Sequence, residues 1–251
     1  MFVKILKYEK KKNGMYQVFF DDGNNVDIHE EIILKYGLLI KKEVSNVEIN
    51  NMLEENKKYI YYNIAIKYIS TKMRSKKEIR EYLLKKDADN DTINSVIDLL
   101  IKEKYINDLI YGKAYVNDHI LLSNDGPNKI RVKLNELGIS NESIDEALID
   151  FTDDLQKQRI DVIARKQISI NRNKSSNALK NKIIDYLYCL GYDKSIIIDV
   201  INNLSFKDDS ALAKKEYDKI YKKLSRKYSG SELELRIKQK MYALGFNKID
   251  F

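Results

Sequence analysis

The residue types that most often carry catalysis or bind metals are scarce in this chain of 251 residues. Its two histidines, His29 and His119, lack a cysteine or a second histidine at the spacing of metal ligands. Cys189 is the single cysteine, which excludes a disulfide framework, and its apolar neighbours predict a small buried side chain. A phosphate-binding glycine loop, a dinucleotide fingerprint and a Gly-x-Ser-x-Gly elbow are absent from the sequence.

Adjacent carboxylates, which could act as a general acid and base, include Asp21-Asp22, Asp153-Asp154 and Asp208-Asp209. Each pair falls at a predicted turn or helix start, where aspartate ordinarily caps backbone N–H groups. We therefore predict that the chain is not an enzyme, binds no metal and uses no cofactor. Its function must then come from a binding surface.

Basic side chains give the strongest chemical signal. Residues 1–152 hold 24 Lys and Arg against 25 Asp and Glu, whereas residues 153–251 hold 21 against 13. This asymmetry favours an anionic partner for the C-terminal part, the alternative being a merely solvated basic surface. The candidate contact residues are Arg74, Lys76, Lys77, Arg80, Lys129, Arg131, Lys133, Arg159, Arg165, Lys166, Arg172, Lys214, Lys215, Lys219, Lys222, Lys223, Arg226 and Lys227.

The lysines between 211 and 228 recur every three to four residues, so a helix through this segment would present them as a stripe. Such a stripe suits a phosphate backbone or an acidic protein groove rather than the reading of bases. No apolar run approaches the ~18–20 residues of a membrane span. The first residues also lack the apolar core of a secretory signal, and we expect a cytoplasmic protein.

The elements that must position these residues repeat along the chain. Asp87, Gly138, Gly191 and Gly245 stand 51, 53 and 54 residues apart, with an apolar residue four and eight positions before each. Apolar residues at that spacing share one face of a helix, and glycine can close a helix in the left-handed conformation. The pattern predicts helix, turn and helix in each repeat, with a third, longer helix such as 107–123 or 153–171 before it.

Helix starts agree with this pattern. Ser75 with Glu78, and Ser231 with Glu234, have the spacing of capping boxes. Gly126 aligns with Ser75, so Pro127 falls at the first helical position, where its missing N–H costs nothing. We predict helical repeats over 51–105, 106–152, 153–205 and 206–251, the last of them incomplete.

Residues 1–50 form a different, β-rich module. Asn13-Gly14 is typical of a hairpin turn and Asp22-Gly23 is a second turn, which together predict three short antiparallel strands. A helix near residue 30 should end at Gly37, and Ser45 with Glu48 predicts a capping box that starts the next helix.

The stretch from Arg74 to Leu148 resembles the RecX family, bacterial regulators of the RecA recombinase. The matching positions are Arg74, Ser75, Leu83, Ile106, Asp108, Tyr111, Gly126, Pro127, Ile130, Leu134, Gly138 and Ile139. Asn107, Gly112 and Asp87 depart from the family pattern, where an acid, an alanine and a glycine are usual. His119 replaces a commonly basic residue. We interpret Asp108, Tyr111, Gly126, Pro127, Gly138, Gly191 and Gly245 as structural positions.

The resemblance implies a mainly α fold of tandem three-helix repeats in an elongated curved array, with the small β-rich module at the N-terminus. It also implies a monomer that lodges in the groove of the filament that RecA forms on single-stranded DNA. Such a protein inhibits ATP hydrolysis, strand exchange and co-protease activity, and so acts in homologous recombination, DNA repair and the SOS response. The alternative is a helical-repeat protein that binds DNA or RNA directly, single- or double-stranded, through its basic C-terminal repeats.

Overall fold

The computed structural model describes residues 2–171 and 174–246. These residues are mainly helical and begin with a small antiparallel sheet, so the predicted class, helical repeats behind a β-rich module, is confirmed. The described chain divides into two compact units. One holds the residues up to Tyr111 together with Leu137–Ile139, and the other holds Gly112–Glu136 and the residues from Ser140 onward.

The N-terminal sheet has four described strands, one more than predicted. They are β1 Phe2–Lys10, β2 Met15–Phe20, β3 Asn25–His29 and β4 Glu43–Ser45, in the order β3-β2-β1-β4. All neighbouring strands are antiparallel, and Val3 of β1 pairs with Val44 of β4. A three-residue strand is too short for its alternation to be recognised in the sequence.

Both predicted turns of the sheet are present. Asn13 and Gly14 have φ of 55° and 69°, as a two-residue hairpin turn requires, and Gly23 has φ of 84°. The buried side chain of Asn56 covers the outer edge of β3, since it accepts from the His29 N–H and donates to the Asp27 carbonyl. The backbone groups at this strand edge are thereby hydrogen-bonded within the chain.

Twelve helices follow among the described residues. They are α1 Glu30–Lys35, α2 Asn46–Ile69, α3 Lys76–Leu84, α4 Asn90–Lys102, α5 Asp108–Leu122, α6 Pro127–Glu136, α7 Asn141–Ala147, α8 Asp153–Ile170, α9 Ser176–Cys189, α10 Lys194–Asn202, α11 Ser210–Leu224 and α12 Gly230–Ala243. Capping boxes at Ser45 and Ser75 start α2 and α3 as predicted, and Pro127 is the first residue of α6.

The repeat pattern predicted the buried face of four equivalent helices, α3, α6, α9 and α12. The apolar residues four and eight positions before each turn are all at most 3% exposed. They are Ile79, Leu83, Ile130, Leu134, Ile183, Leu187, Ile237 and Met241. The residues of the four turns, Asp87, Gly138, Gly191 and Gly245, have φ of 62°, 78°, 88° and 87°. The left-handed helix end predicted for each repeat is therefore observed.

Three local predictions are wrong. Cys189 is exposed rather than buried, because α9 buries the face of Ile183 and Leu187 and Cys189 lies about 200° around the helix from Leu187. Ser231 does not cap α12, which begins at Gly230 behind Ser229, so Ser231 lies inside the first turn. The lysine-bearing helix α11 ends at Leu224 instead of continuing to residue 228.

Candidate interaction surface

Each glycine turn receives a hydrogen bond from the start of another helix in the same compact unit. The Ser75 hydroxyl donates to the Leu137 carbonyl at 2.8 Å, immediately before Gly138. The Ser175 hydroxyl donates to the Leu244 carbonyl at 2.6 Å, immediately before Gly245. The N-cap serines of α3 and α9 thus satisfy a carbonyl that a helix end would otherwise leave free.

The turn at Gly191 uses backbone donors instead. The Gly126 N–H donates to the Leu190 carbonyl at 2.7 Å, and the Asn128 N–H donates to the Gly191 carbonyl at 3.0 Å. The Asn128 side chain adds a bond to Asp193 at 2.8 Å. Gly126 and Pro127 therefore place the start of α6 directly against this turn.

These close approaches explain why the three turns carry glycine. A Cβ atom on Gly138 would lie 2.9 Å from the Lys77 Cβ, and one on Gly191 would lie 2.4 Å from the Lys129 N. At Gly245 it would lie 2.5 Å from the Ser175 Oγ. The left-handed φ and the lack of space both demand glycine.

Asp108 anchors the first helical amide of α3. Its carboxylate accepts from the Lys76 N–H at 3.0 Å, and Asp209 accepts in the same way from the Ser176 N–H of α9 at 2.5 Å. Pro127, at the equivalent position of α6, has no N–H to offer. The sequence identified Asp108 as a structural position but missed the role of Asp209, which lies 101 residues further along the chain.

Two of the predicted contact arginines are engaged inside the protein. The Arg74 guanidinium lies 4.0 Å from the centroid of the Tyr68 ring and bonds Glu78 at 3.1 Å. Arg159 donates to the Ser123 carbonyl at 2.6 Å, to the Tyr192 hydroxyl at 3.1 Å and to the Ile120 carbonyl. Arg159 thereby satisfies carbonyls at the C-terminal end of α5. Burial raises the pKa of the Tyr192 phenol, and the hydrogen bond from Arg159 partly offsets this rise.

Most of the other candidates in the first three repeats have a polar partner on the surface. Lys77 lies 4.0 Å from Glu81, and Arg80 donates to Asn94. Further pairs join Lys76 to Asp108, Lys129 to Asp125, Arg131 to Asp145, Lys133 to Glu136 and Arg165 to Asp161, at distances between 2.6 and 4.0 Å. Exposed pairs of this kind contribute about 0–1 kcal/mol each and can exchange their partner for an external anion.

Helix α11 differs because most of its cations are unpaired. One face packs Leu212, Tyr217, Ile220 and Leu224 against the core of α12. The opposite, exposed side carries what we call the α11 basic surface, which consists of Lys214, Lys215, Lys219, Lys222 and Lys223. In the described part of the chain only Lys219 among these five has a carboxylate partner, Glu216 at 3.5 Å.

The remaining candidates lie outside this surface. Arg226 and Lys227 are exposed but follow the end of α11, so the predicted stripe stops at Lys223. Lys166 is an exposed residue of α8 without an ion pair among residues 2–171 and 174–246, and Arg172 lies outside the described residues. Two acidic residues, Glu216 and Asp218, lie among the lysines of α11, and of these Asp218 is exposed.

The histidines have local structural contacts. His29 caps α1 by accepting from the Glu31 N–H at 3.3 Å and stacks on Tyr59, and burial lowers its pKa. His119 stacks on Tyr115 and lies 3.3 Å from Asp125. No group of three or more metal-ligating side chains occurs within the described ranges, and none of the helices described there is long and apolar enough to cross a membrane.

Family models match two segments of the chain. One model, described as RecX, first three-helix domain, matches residues 62–100, and the other, RecX, second three-helix domain, matches residues 107–148. "Regulatory protein RecX" of Streptococcus uberis is 31% identical and that of Streptococcus pneumoniae serotype 19F is 34% identical. Both alignments cover 99% of this chain and 96% of the relative.

Solved structures agree with the sequence comparisons. A crystal structure of regulatory protein RecX has a TM-score of 0.71 at 26% identity and covers 78% of this chain and 99% of its own. RecX from Lactobacillus salivarius has a TM-score of 0.58 at 31% identity and covers 60% of this chain and 97% of its own. Three of these four relatives carry the name regulatory protein.

Proposed function

The chain belongs to the RecX family, and on that premise we propose that it binds the filament formed by RecA on single-stranded DNA and inhibits the recombinase. The observation that carries the proposal is the family match over nearly the whole length of both chains. The inhibited activities would be ATP hydrolysis, strand exchange and co-protease activity. The protein would act by binding, as a cytoplasmic monomer without a cofactor.

Tandem helical repeats suit such a task physically. A filament presents the same surface at regular intervals, and each repeat can make its own weak contact with it. Once one repeat is bound, the next binds at a high effective concentration, so weak contacts combine into firm association. The predicted division into repeats at 51, 106, 153 and 206 supplies four such elements.

We assign the contacts first to the α11 basic surface, because its lysines are exposed and mostly lack internal partners. Such charges keep their full attraction for carboxylates of a protein groove or for phosphates of the bound DNA. The surface-paired cations, such as Lys129 and Arg131, are secondary candidates. Arg74 and Arg159 are left out, since their guanidinium groups support the fold.

The same observation also favours a second candidate, in which the α11 basic surface binds nucleic acid directly. The two proposals are distinguished by a variant in which glutamine replaces Lys214, Lys215, Lys222 and Lys223. Direct binding predicts that the affinity for free single-stranded DNA collapses and that its log–log salt slope falls by about 0.7 for each lost phosphate contact. Regulation of RecA predicts that the loss is largest with the filament as the binding partner.

The binding experiment uses labelled single-stranded DNA, alone and coated with RecA, and follows anisotropy or co-sedimentation. The matched control replaces four lysines that have carboxylate partners, Lys11, Lys35, Lys41 and Lys57, and so has the same net charge. The filament proposal fails if the wild-type protein does not bind RecA-coated DNA more tightly than bare DNA. The assignment to α11 fails if the control variant loses as much filament affinity as the α11 variant.

A further inference from the structure

The first of the four repeat turns differs from the others because its left-handed residue is an aspartate. Asp87 has φ of 62° and an exposed side chain, at the position that Gly138, Gly191 and Gly245 occupy in the later repeats. In those three turns a Cβ atom would lie within 3 Å of another helix start. Asp87 carries a Cβ, so its turn must be packed in another way.

The backbone carbonyl before Asp87 has a different kind of hydrogen-bond donor. The Lys86 carbonyl accepts a hydrogen bond from the Tyr61 hydroxyl at 3.2 Å. The equivalent carbonyls, Leu137, Leu190 and Leu244, accept from Ser75, Gly126 and Ser175. All four repeat turns therefore have a donor on the same carbonyl.

The chemistry of the donor decides whether a side chain fits at the turn. A serine hydroxyl or a backbone N–H lies close to its own backbone, so it can bond the carbonyl only when the helix start touches the turn. The tyrosine hydroxyl lies at the far end of a phenol ring, and its helix can stay at a distance while the bond forms. The close approach that excludes a Cβ atom is thereby avoided at Asp87.

We propose that Tyr61, on the long helix α2 of the first repeat, caps the N-terminal end of the repeats. Its hydroxyl supplies the donor that a preceding repeat would supply, and the polar side chain of Asp87 is exposed at the turn. The packing of α2 agrees with this role, because Ala65 is fully buried in one cluster with Ile79 and Leu83 of α3. Repeat arrays need such atypical terminal elements, since an end repeat has only one neighbour.

The test at the donor compares Tyr61→Phe with Tyr59→Phe in the full chain. Both changes remove one hydroxyl from α2, and no hydrogen bond of the Tyr59 hydroxyl is found among the described residues. Loss of one hydrogen bond should speed hydrogen exchange at the Asp87 and Ala88 amides of the turn about 2- to 10-fold in Tyr61→Phe only. Equal exchange in the two variants would overturn the proposal.

A second test exchanges the residue types of two turns. Asp87→Gly removes the backbone strain of an aspartate with positive φ and removes no hydrogen bond of the turn. The thermal midpoint of this variant should therefore equal or exceed that of the wild type. Gly191→Asp puts a side chain where the Lys129 N would lie 2.4 Å from its Cβ, so its midpoint should fall by several degrees. A lower midpoint for Asp87→Gly, or an unchanged one for Gly191→Asp, would also overturn the proposal.

Discussion

Replacing Gly191 with alanine measures how tightly the start of α6 is held against its turn. The φ of 88° costs an alanine about 1–2 kcal/mol in any surroundings. The new methyl group would also lie 2.4 Å from the Lys129 N and 2.6 Å from the Lys129 Cβ. The first turn of α6 must then move, because these are backbone and near-backbone atoms.

The size of the effect follows from the contacts that this movement breaks. The Gly126–Leu190 and Asn128–Gly191 hydrogen bonds contribute about 0.5–1.5 kcal/mol each, and the crowding adds about 1–3 kcal/mol. Gly191→Ala should therefore destabilise the protein by about 2–6 kcal/mol more than the matched change Gly230→Ala. Gly230 also has positive φ, 57°, but no described atom lies within 4 Å of its Cβ position.

Urea unfolding, monitored by far-ultraviolet circular dichroism, gives the free energy of unfolding of each variant. The dependence of that free energy on urea concentration is compared between the variants to check that the unfolding transition is unchanged. If the two variants lose the same stability within about 1 kcal/mol, the turn is not packed as described and the explanation of the repeated glycines is wrong.

Two further predictions test other parts of the structure. Arg159→Met should lower the free energy of unfolding by about 2–4 kcal/mol, because the carbonyls that end α5 lose a charged donor. In urea unfolding, the exposed control Arg165→Met should change little, and equal losses would refute the role given to Arg159. The hydrogen bond from Lys41 and then the capping-box bonds from Ser45 lower the pKa of Glu48 from 4.5 to about 2. The contribution of Glu48 to the free energy of unfolding is thus present above pH 4.5 and lost as the pH falls towards 2. Glu48→Gln should therefore make the free energy of unfolding less dependent on pH between 4.5 and 2. An unchanged pH dependence would contradict this.

The sequence sufficed for features encoded locally. Positive φ at Gly138 and Gly191 follows from their place after an amphipathic helix, and the capping box at Ser75 follows from the spacing to Glu78. The start of α6 at Pro127 follows from the missing N–H of proline. In each case the signal and its structural consequence lie within about one helical turn of the chain.

Features that depend on distant partners could not be predicted in this way. Arg159 looks in the sequence like any exposed basic residue, yet the Ile120 and Ser123 carbonyls, 39 and 36 residues earlier, accept its hydrogen bonds. Cys189 is exposed because α9 has one buried face, which the apolar run around the cysteine hides. The basic stripe is likewise shorter than predicted, because α11 ends at Leu224 with Ser225 as its C-cap.

The most direct measurement of the central claim is ATP hydrolysis by RecA on single-stranded DNA, with this protein added at substoichiometric amounts. We predict inhibition that deepens with added protein and is weakened in the quadruple glutamine variant of Lys214, Lys215, Lys222 and Lys223. Undiminished hydrolysis at every ratio, up to one molecule for each RecA subunit, would contradict the proposal that this chain regulates the recombinase.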